Sequence, residues 1–127
     1  MHRESDFVDM DYSPERCIAL GREARTNQDY VWLVAEHRET ITGMIGGYVS
    51  QTYFGSGRVA RDFLVYVIPV YRGGRSFLML VNGFVAWAKD RGATKVHLSS
   101  SANMGDVGPL YERIGFDRVG SIHRRNL

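Results

Sequence analysis

The sequence predicts an α+β domain built on a mixed, mostly antiparallel sheet, with a central parallel strand pair and flanking helices. Three apolar stretches rich in β-branched and aromatic residues follow one another with short polar links, which is typical of an antiparallel meander. Residues 74–91 then repeat apolar side chains at helical spacing. A further apolar stretch follows that helix, and strand–helix–strand connections favour parallel neighbours.

The first half of the chain predicts one helix and three strands. Ser13 is a suitable N-cap, Pro14 suits the first helical position, and the helix should end near residues 26–27. The strands are expected at residues 30–35, 41–52 and 59–68, the first of them buried. Glycines at positions 43, 46 and 47 predict a bulge or a close backbone approach in the second strand.

The second half predicts a long helix, a short helix and two strands. The long helix should bury one face, formed by Phe77, Leu80, Val81, Phe84, Val85 and Ala88. A strand is expected at residues 96–98 and a last one at 116–124. Between them, Pro109 and Gly115 bracket a short helix.

Composition excludes several classes of function. The 127 residues suit a single domain, residues 1–127, and no apolar run approaches the ~20 residues of a membrane span. The single cysteine, Cys17, favours a reducing compartment, so a cytoplasmic protein is expected. A net charge of +2 with scattered arginines does not favour nucleic acid. The histidines at positions 37, 97 and 123 lack metal-ligand spacing, so no metal is expected.

The most informative stretch joins the third strand to the long helix. Pro69 stops the strand, and the turn through Arg72, Gly73 and Gly74 opens directly into the helix. Backbone N–H groups and the positive end of the helix dipole meet there, which predicts an anion site. The pyrophosphate of a nucleotide-containing cofactor is its expected occupant.

This turn, the long helix, Asn103 and the run from Leu110 to Phe116 follow in an order that resembles the GNAT superfamily of acyl-CoA-dependent N-acetyltransferases. The chain is similar in particular to small bacterial and bacteriophage-encoded members. The resemblance implies that acetyl-CoA is a co-substrate and that the acetyl group passes directly to a primary amine in a ternary complex. The amine could belong to a small molecule or to a protein. A non-catalytic module that binds CoA or a protein partner is the alternative.

The resemblance also implies a set of cofactor residues. The backbone of Val65, Tyr66 and Val67 would contact the pantetheine and the thioester, and Asn103 would contact the pantetheine or cap its own loop. The phosphates would be surrounded by Arg72, Gly73, Gly74, Arg75, Ser76 and Phe77. The family turn is usually Arg/Gln-x-x-Gly-x-Gly/Ala; here Arg75 and Phe77 occupy the two small-residue positions.

Two residues are the candidates for catalysis. Tyr111 matches the family tyrosine that protonates the departing thiolate, although it could simply pack the short helix. Asp62 is the candidate base, with Glu36 as the other carboxylate near the presumed acceptor side. Either could instead be a surface charge, with a water chain deprotonating the amine. Tyr48, Tyr53 and Phe54 lie where the acceptor would enter, or pack across strands.

The start of the chain departs from the family pattern. Members normally begin with an extra strand and the first half of a helix, whereas this chain starts inside that helix. A late gene start, a strand supplied by a partner chain in a homodimer, or a dispensable strand would each explain the difference.

Overall fold

The computed structural model describes residues 1–100, 105 and 107–127, which divide into two units. The sheet unit comprises Tyr12–Ser99, and the terminal unit comprises Met1–Asp11 together with Ser100–Leu127. The sheet unit contains the strand–turn–helix stretch for which an anion site is predicted.

A four-stranded sheet organises the sheet unit, with its strands in the order β1-β2-β3-β4. Strands β1 (Tyr30–His37), β2 (Thr40–Gln51) and β3 (Arg58–Val67) form an antiparallel meander. Strand β4 (Lys95–His97) pairs with β3 in parallel. The predicted fold class is therefore confirmed, including the parallel pair.

Strand β1 lies at the edge of the sheet and is only partly buried. Val31 and Ala35 are buried, whereas Val34 between them is 53% exposed. Successive side chains of a strand point to opposite faces, so only alternate residues of β1 reach the core. The prediction that this strand is buried is therefore wrong for the face that carries Val34.

The glycines of β2 mark a bulge and two close approaches. The register between β2 and β3 shifts at Gly46 and Gly47, which leaves Phe63 of β3 without a paired residue. A Cβ atom on Gly47 would lie 2.4 Å from the carbonyl oxygen of Arg61 and 2.6 Å from the ring of Phe84. The bulge predicted from these glycines is therefore confirmed, and only glycine fits at position 47.

Helix α1 (Pro14–Thr26) begins as the sequence predicts. The Ser13 hydroxyl accepts a hydrogen bond from the Arg16 N–H at 3.3 Å, and Pro14 occupies the first turn. None of the helix's side chains is buried, and Ile18 is more than half exposed. Its stability therefore rests more on its cap and its contact with β1 than on core packing.

Helix α2 (Arg75–Asp90) packs on the sheet and contributes one apolar face to the core. Its buried side chains recur at three- and four-residue steps: Phe77, Leu80, Val81, Phe84 and Ala88. Val85, predicted for the same face, is only half buried. Gly92, at φ +75°, ends the helix and directs the chain into β4.

The terminal unit contains a 3₁₀ turn at His2–Glu4 and helix α3 (Gly108–Arg113). Pro109 lies in the first turn of α3, and Gly115, at φ +95°, follows its end, as predicted. The Phe116 N–H donates to the Tyr111 carbonyl at 3.1 Å, and the two rings lie 5.7 Å apart.

The strand predicted at residues 116–124 is not formed, so that prediction is wrong. Its apolar residues, Phe116, Val119 and Ile122, recur every third position and cannot share one face of a strand. Val119 and Ile122 are accordingly more than 80% exposed. The Arg124 guanidinium instead pairs with the Asp6 carboxylate at 2.6 Å within the terminal unit.

Candidate functional site

The end of β3 turns into α2 through a short, well-bonded segment. A 3₁₀ turn at Pro69–Tyr71 follows the strand, and Gly73 adopts φ +80°, a conformation that favours glycine. Gly74 is the N-cap of α2, and among the described residues no side chain caps this end. The backbone N–H groups and dipole of a sixteen-residue helix are thus directed at one point beside β3.

Arg72 is folded back onto β3 rather than extended into the turn. Its Nε donates to the carbonyl oxygen of Val67 at 2.9 Å, and its guanidinium carbon lies 5.6 Å from the centre of the Tyr66 ring. These contacts tie the last residues of β3 to the turn. A phosphate would therefore compete with the strand for this guanidinium.

Ser76 links the first turn of α2 to the sheet. Its hydroxyl lies 2.8 Å from that of the fully buried Thr42, and the Thr42 hydroxyl donates to the Ala35 carbonyl at 3.2 Å. Phe77, which stands where the family prefers glycine or alanine, is buried in the core beneath the turn. Its ring is therefore directed into the sheet rather than left on the exposed surface of the turn.

A cleft of about 450 Å³ opens at this end of α2. It is lined by Ala35, Glu36 and His37 of β1, by Val70, Tyr71, Arg72 and Gly74 of the turn, and by Arg75, Ser76 and Met79 of α2. Four of the residues predicted to surround phosphate, Arg72, Gly74, Arg75 and Ser76, line it. The two arginines give the cleft cationic groups beside the helix N-terminus, an arrangement suited to an anion.

The predicted pantetheine residues lie where β3 and β4 are no longer paired. The parallel ladder runs only from Val59 to Arg61 of β3, opposite Lys95 to His97 of β4. Val65, Tyr66 and Val67 lie beyond it and pair with β2 on their other side. This half of β3 therefore has one edge that β4 does not bond, and that edge leads to the cleft turn.

Asp62 lies at the point where the two halves of β3 meet. One carboxylate oxygen accepts from the Ser99 N–H at 2.9 Å, and both oxygens lie within 3.2 Å of the Ser99 hydroxyl. Burial raises the pKa of Asp62 above its ordinary value, outweighing the hydrogen bonds from Ser99 that lower it. Asp62 thus secures the segment after β4 and is also a carboxylate with increased basicity.

The remaining predicted residues belong to several different segments of the chain. Glu36 lines the cleft, at the exposed end of β1. Tyr111 belongs to the terminal unit, where it is 7% exposed. Asn103 lies outside the described residues. Tyr53 and Phe54 lie on the hairpin between β2 and β3, are each 91% exposed, and contact each other edge to face.

Sequence reasoning missed the polar partners that hold the site. Thr42 looks like an ordinary β-branched strand residue, and Ser99 is the first of three serines that read as a loop. Neither residue carries a local signal for its partner, because both bonds join segments more than thirty residues apart. His37 and Tyr71, whose rings lie 6.1 Å apart at the cleft, were missed for the same reason.

The part of the chain that the structure describes was also searched for a metal site and for a membrane-spanning helix. Within them, no cluster of three or more histidine, cysteine, aspartate or glutamate side chains could hold a metal ion. In the same part of the chain, no helix has both the length and the apolarity that a membrane span requires.

Comparisons with known proteins give a family and a fold. A sequence model described as the acetyltransferase (GNAT) family matches residues 3–116. No curated protein sequence matches the chain significantly.

Solved structures with the same fold include three enzymes from different organisms. Glucosamine-6-phosphate N-acetyltransferase from Arabidopsis thaliana is 19% identical, with a TM-score of 0.75 over 92% of this chain and 80% of that chain. An aminoglycoside antibiotic 6'-N-acetyltransferase from Acinetobacter haemolyticus is 15% identical, with a TM-score of 0.73 over 92% and 83%. A predicted acetyltransferase with acetyl-CoA from Clostridium acetobutylicum is 22% identical, with a TM-score of 0.68 over 94% and 81%.

Proposed function

We propose an activity for this chain, which belongs to the acetyltransferase (GNAT) family: it transfers the acetyl group of acetyl-CoA to a primary amine. The transfer is direct, within a ternary complex of protein, acetyl-CoA and amine. Family membership supports an acyltransferase. We further propose that the donor is acetyl-CoA, that the acceptor is an amine, and that the residues named below have the roles given there.

One observation carries the proposal: the half of β3 that β4 leaves unbonded leads straight into the N-terminus of α2. A cofactor with an extended polar arm and a pyrophosphate needs these two features side by side. The backbone of Val65, Tyr66 and Val67 would bind the pantetheine arm. The turn at Gly73 and Gly74, with Arg75 at the cleft, would bind the phosphates.

Acetyl transfer requires one bond to form, one to break and two protons to move. The neutral amine attacks the thioester carbon, and a backbone N–H of β3 stabilises the oxyanion that forms. The carbon–sulfur bond then breaks, and the thiolate takes a proton. Asp62 is the proposed base for the amine because its pKa is raised, and Tyr111 is the proposed acid for the thiolate.

The acceptor is proposed to be an amine on two grounds. The Arabidopsis enzyme acts on glucosamine 6-phosphate and the Acinetobacter enzyme on aminoglycosides, according to their names. Amines are also the acceptors that a carboxylate base with a raised pKa suits, since the base must remove a proton from an ammonium group near neutral pH.

A non-catalytic module that binds CoA or a protein partner is the second candidate. Arg72 is engaged by the Val67 carbonyl, and Ser76 by Thr42, so two proposed phosphate ligands already have partners in the fold. These contacts would weaken the phosphate site that an acetyl-CoA-dependent enzyme needs, and they favour a module whose ligand is a protein partner. A homodimer is also proposed, in which a partner chain would add a strand to the sheet at β1.

Two measurements separate these functions. Thermal unfolding with acetyl-CoA tests cofactor binding, because a ligand that binds only the native state raises Tm. Release of free CoA in the presence of a panel of primary amines tests transfer. Stabilisation with amine-dependent CoA release supports the transferase, and stabilisation without release supports the module. No stabilisation at millimolar acetyl-CoA contradicts both the transferase and a module that binds CoA.

A further inference from the structure

Thr42 of β2 is a fully buried polar residue at a second bulge, beside the cleft. Ala35 of β1 is paired with Gly43, and Glu36 with Ile41, so Thr42 is the extra residue between two paired positions. Side chains of a regular strand alternate between faces, yet Thr42 and Gly43 are both buried. The bulge breaks the alternation and directs the Thr42 side chain into the fold.

Thr42 is hydrogen-bonded to three other parts of the sheet unit. Its hydroxyl donates to the Ala35 carbonyl of β1 at 3.2 Å and lies 2.8 Å from the Ser76 hydroxyl of α2. Its own carbonyl accepts from the N–H of Ile68, the residue after β3, at 2.9 Å. One residue thus joins the end of β3 to the first turn of α2, the two features proposed to bind the cofactor.

The direction of the hydrogen bond between the two hydroxyls follows from the number of their protons. The Thr42 hydroxyl has one proton, and the Ala35 carbonyl accepts it. The Ser76 hydroxyl must therefore donate its own proton to the Thr42 oxygen. Since that proton is used inside the fold, the Ser76 side chain has none left to donate to an anion. A phosphate at this position would be bound by the N–H of Ser76 and not by its hydroxyl.

Ser76 is the second residue of α2 and belongs to the turn whose N–H groups have no partner within the helix. Gly74 is the N-cap, and among the described residues no side chain accepts from these N–H groups. First turns of helices fray when they are not restrained. The bond from Ser76 to the buried Thr42 restrains this turn from its inner side and leaves its N–H groups for a ligand in the cleft.

We propose that Thr42 is a positioning residue for the cofactor site. It holds the first turn of α2 at a fixed place relative to the end of β3, so that the N–H groups of the turn meet the phosphates. Thr42 itself is fully buried and acts through Ser76. This role rests on the proposed function, and it deepens it by assigning Ser76 a backbone contact with phosphate. If Thr42 instead competed with phosphate for the Ser76 hydroxyl, removing the Thr42 hydroxyl would tighten binding.

The affinity of variants for acetyl-CoA, measured by titration calorimetry well below Tm, tests this role. Thr42→Val keeps the shape of the side chain but removes its hydroxyl, and should weaken acetyl-CoA binding by about tenfold. Thr42→Ser keeps the hydroxyl and should retain the affinity. Thr52→Val removes another hydroxyl that donates to a backbone carbonyl, in the β2–β3 hairpin, and should change nothing. Unchanged or tighter binding by Thr42→Val would overturn the proposal.

The dependence of Ser76 on Thr42 is tested by Ser76→Ala, alone and combined with Thr42→Val. Because the Ser76 hydroxyl acts through Thr42, Ser76→Ala should also weaken acetyl-CoA by about tenfold, and the double variant should bind no more weakly than either single variant. A hydroxyl that bound phosphate directly would add its own loss to that of Thr42→Val. Equal losses from Ser76→Ala in both backgrounds would therefore contradict the proposal.

Amide hydrogen exchange of the free protein reports on the first turn of α2 without any ligand. The N–H groups of Leu78 and Met79 close this turn by bonding the carbonyls four residues earlier. Their exchange should be about tenfold faster in Thr42→Val and in Ser76→Ala, with residues 86–89 unchanged. Unchanged exchange at residues 78 and 79 would overturn the proposal. Exchange in Ser76→Ala decides this point even if Thr42→Val does not fold.

Failure of this role and failure of the proposed function give different results. If the unmutated protein does not bind acetyl-CoA, the proposed cofactor site is contradicted and the role of Thr42 with it. If the unmutated protein and Thr42→Val bind acetyl-CoA equally well, the cofactor site stands and the role of Thr42 alone is contradicted. Weaker binding by Thr42→Val, retained binding by Thr42→Ser and faster exchange at residues 78 and 79 together support the role.

Discussion

The two halves of β3 differ in their pairing, and only one of them belongs to the proposed cofactor site. Residues 59–61 are bonded to β2 on one side and to β4 on the other, with Val59 and Ala60 buried. Residues 64–67 are bonded to β2, lie beyond the ladder with β4, and lead to the cleft turn. The bulge opposite Gly46 and Gly47 divides them. Pairing with β4 holds the first half, and we propose that the second half, beyond that ladder, binds the cofactor.

Gly47→Ala should have the largest effect, because it attacks the bulge that divides the two halves. Its Cβ would lie 2.4 Å from the backbone oxygen of Arg61, which cannot move without breaking the strand pair. We expect a loss of about 3 kcal/mol in the free energy of unfolding, measured by urea denaturation. Gly21→Ala in α1, where nothing lies within 4 Å, is the matched control and should be neutral or stabilising. Equal effects of the two variants would contradict the assignment of the bulge.

Val59→Ala tests the bonded half alone. The side chain is 4% exposed, so its truncation leaves a cavity and should cost about 2 kcal/mol in unfolding free energy. The dissociation constant for acetyl-CoA, measured by titration calorimetry well below Tm, should stay unchanged. A large loss of affinity would show that the bonded half also contributes to the cofactor site.

Gly73→Ala tests the other half through the turn that follows it. Because Gly73 adopts φ +80°, alanine there should cost about 1 kcal/mol in stability. Acetyl-CoA affinity should fall by about tenfold as the turn rearranges around its N–H groups. Gly55→Ala in the β2–β3 hairpin meets no atom within 4 Å and should change neither quantity. Unchanged cofactor affinity in Gly73→Ala would separate the turn from the phosphate site.

Asp62→Asn, at the junction of the halves, should have the smallest effect on stability and a distinctive pH dependence. The folded state raises the pKa of Asp62 above its ordinary 3.8, so it binds this proton more tightly than the unfolded chain. The contribution of Asp62 to stability is therefore fully present below 3.8 and is lost as pH rises through the folded pKa. Asparagine cannot ionise, so the variant's stability relative to the unmutated protein should improve over that range. If the unfolding free energies of the variant and the unmutated protein change with pH in the same way, the pKa of Asp62 is not raised.

The same variant reports on catalysis. If Asp62 is the base, kcat/KM for the amine should fall while the acetyl-CoA dissociation constant changes little. Ser99→Ala removes the hydroxyl that contacts the carboxylate but leaves the backbone N–H bond, and serves as the control for a purely positional role. Loss of activity only in the serine variant would indicate that the segment after β4, rather than the carboxylate, matters.

Local patterns predicted the elements of the fold, and distant contacts account for what they missed. The Ser13 cap, the spacing from Phe77 to Ala88 and the three glycines of β2 are local signals, and each gave the right element. The predicted strand at residues 116–124 was wrong because β-prone residues form a strand only when a partner and a single apolar face exist.

The candidate site was predictable only as a stretch of chain. The turn at Gly73 and Gly74 can be read from the sequence because glycine, a preceding proline and a following helix are adjacent. The hydrogen bond from the Arg72 side chain to the Val67 carbonyl depends on a side-chain conformation, which the spacing of residues in the sequence does not predict. The roles of Tyr111 and Asn103 rest on the family resemblance and stay predictions.

The most direct test of the central claim is a map of backbone amide chemical shifts on titration with acetyl-CoA. We expect saturable changes concentrated at Val65–Val67 and at residues 73–76, with residues 59–61 of the same strand nearly unaffected. Changes concentrated in the bonded half of β3, or no changes at saturating acetyl-CoA, would contradict it.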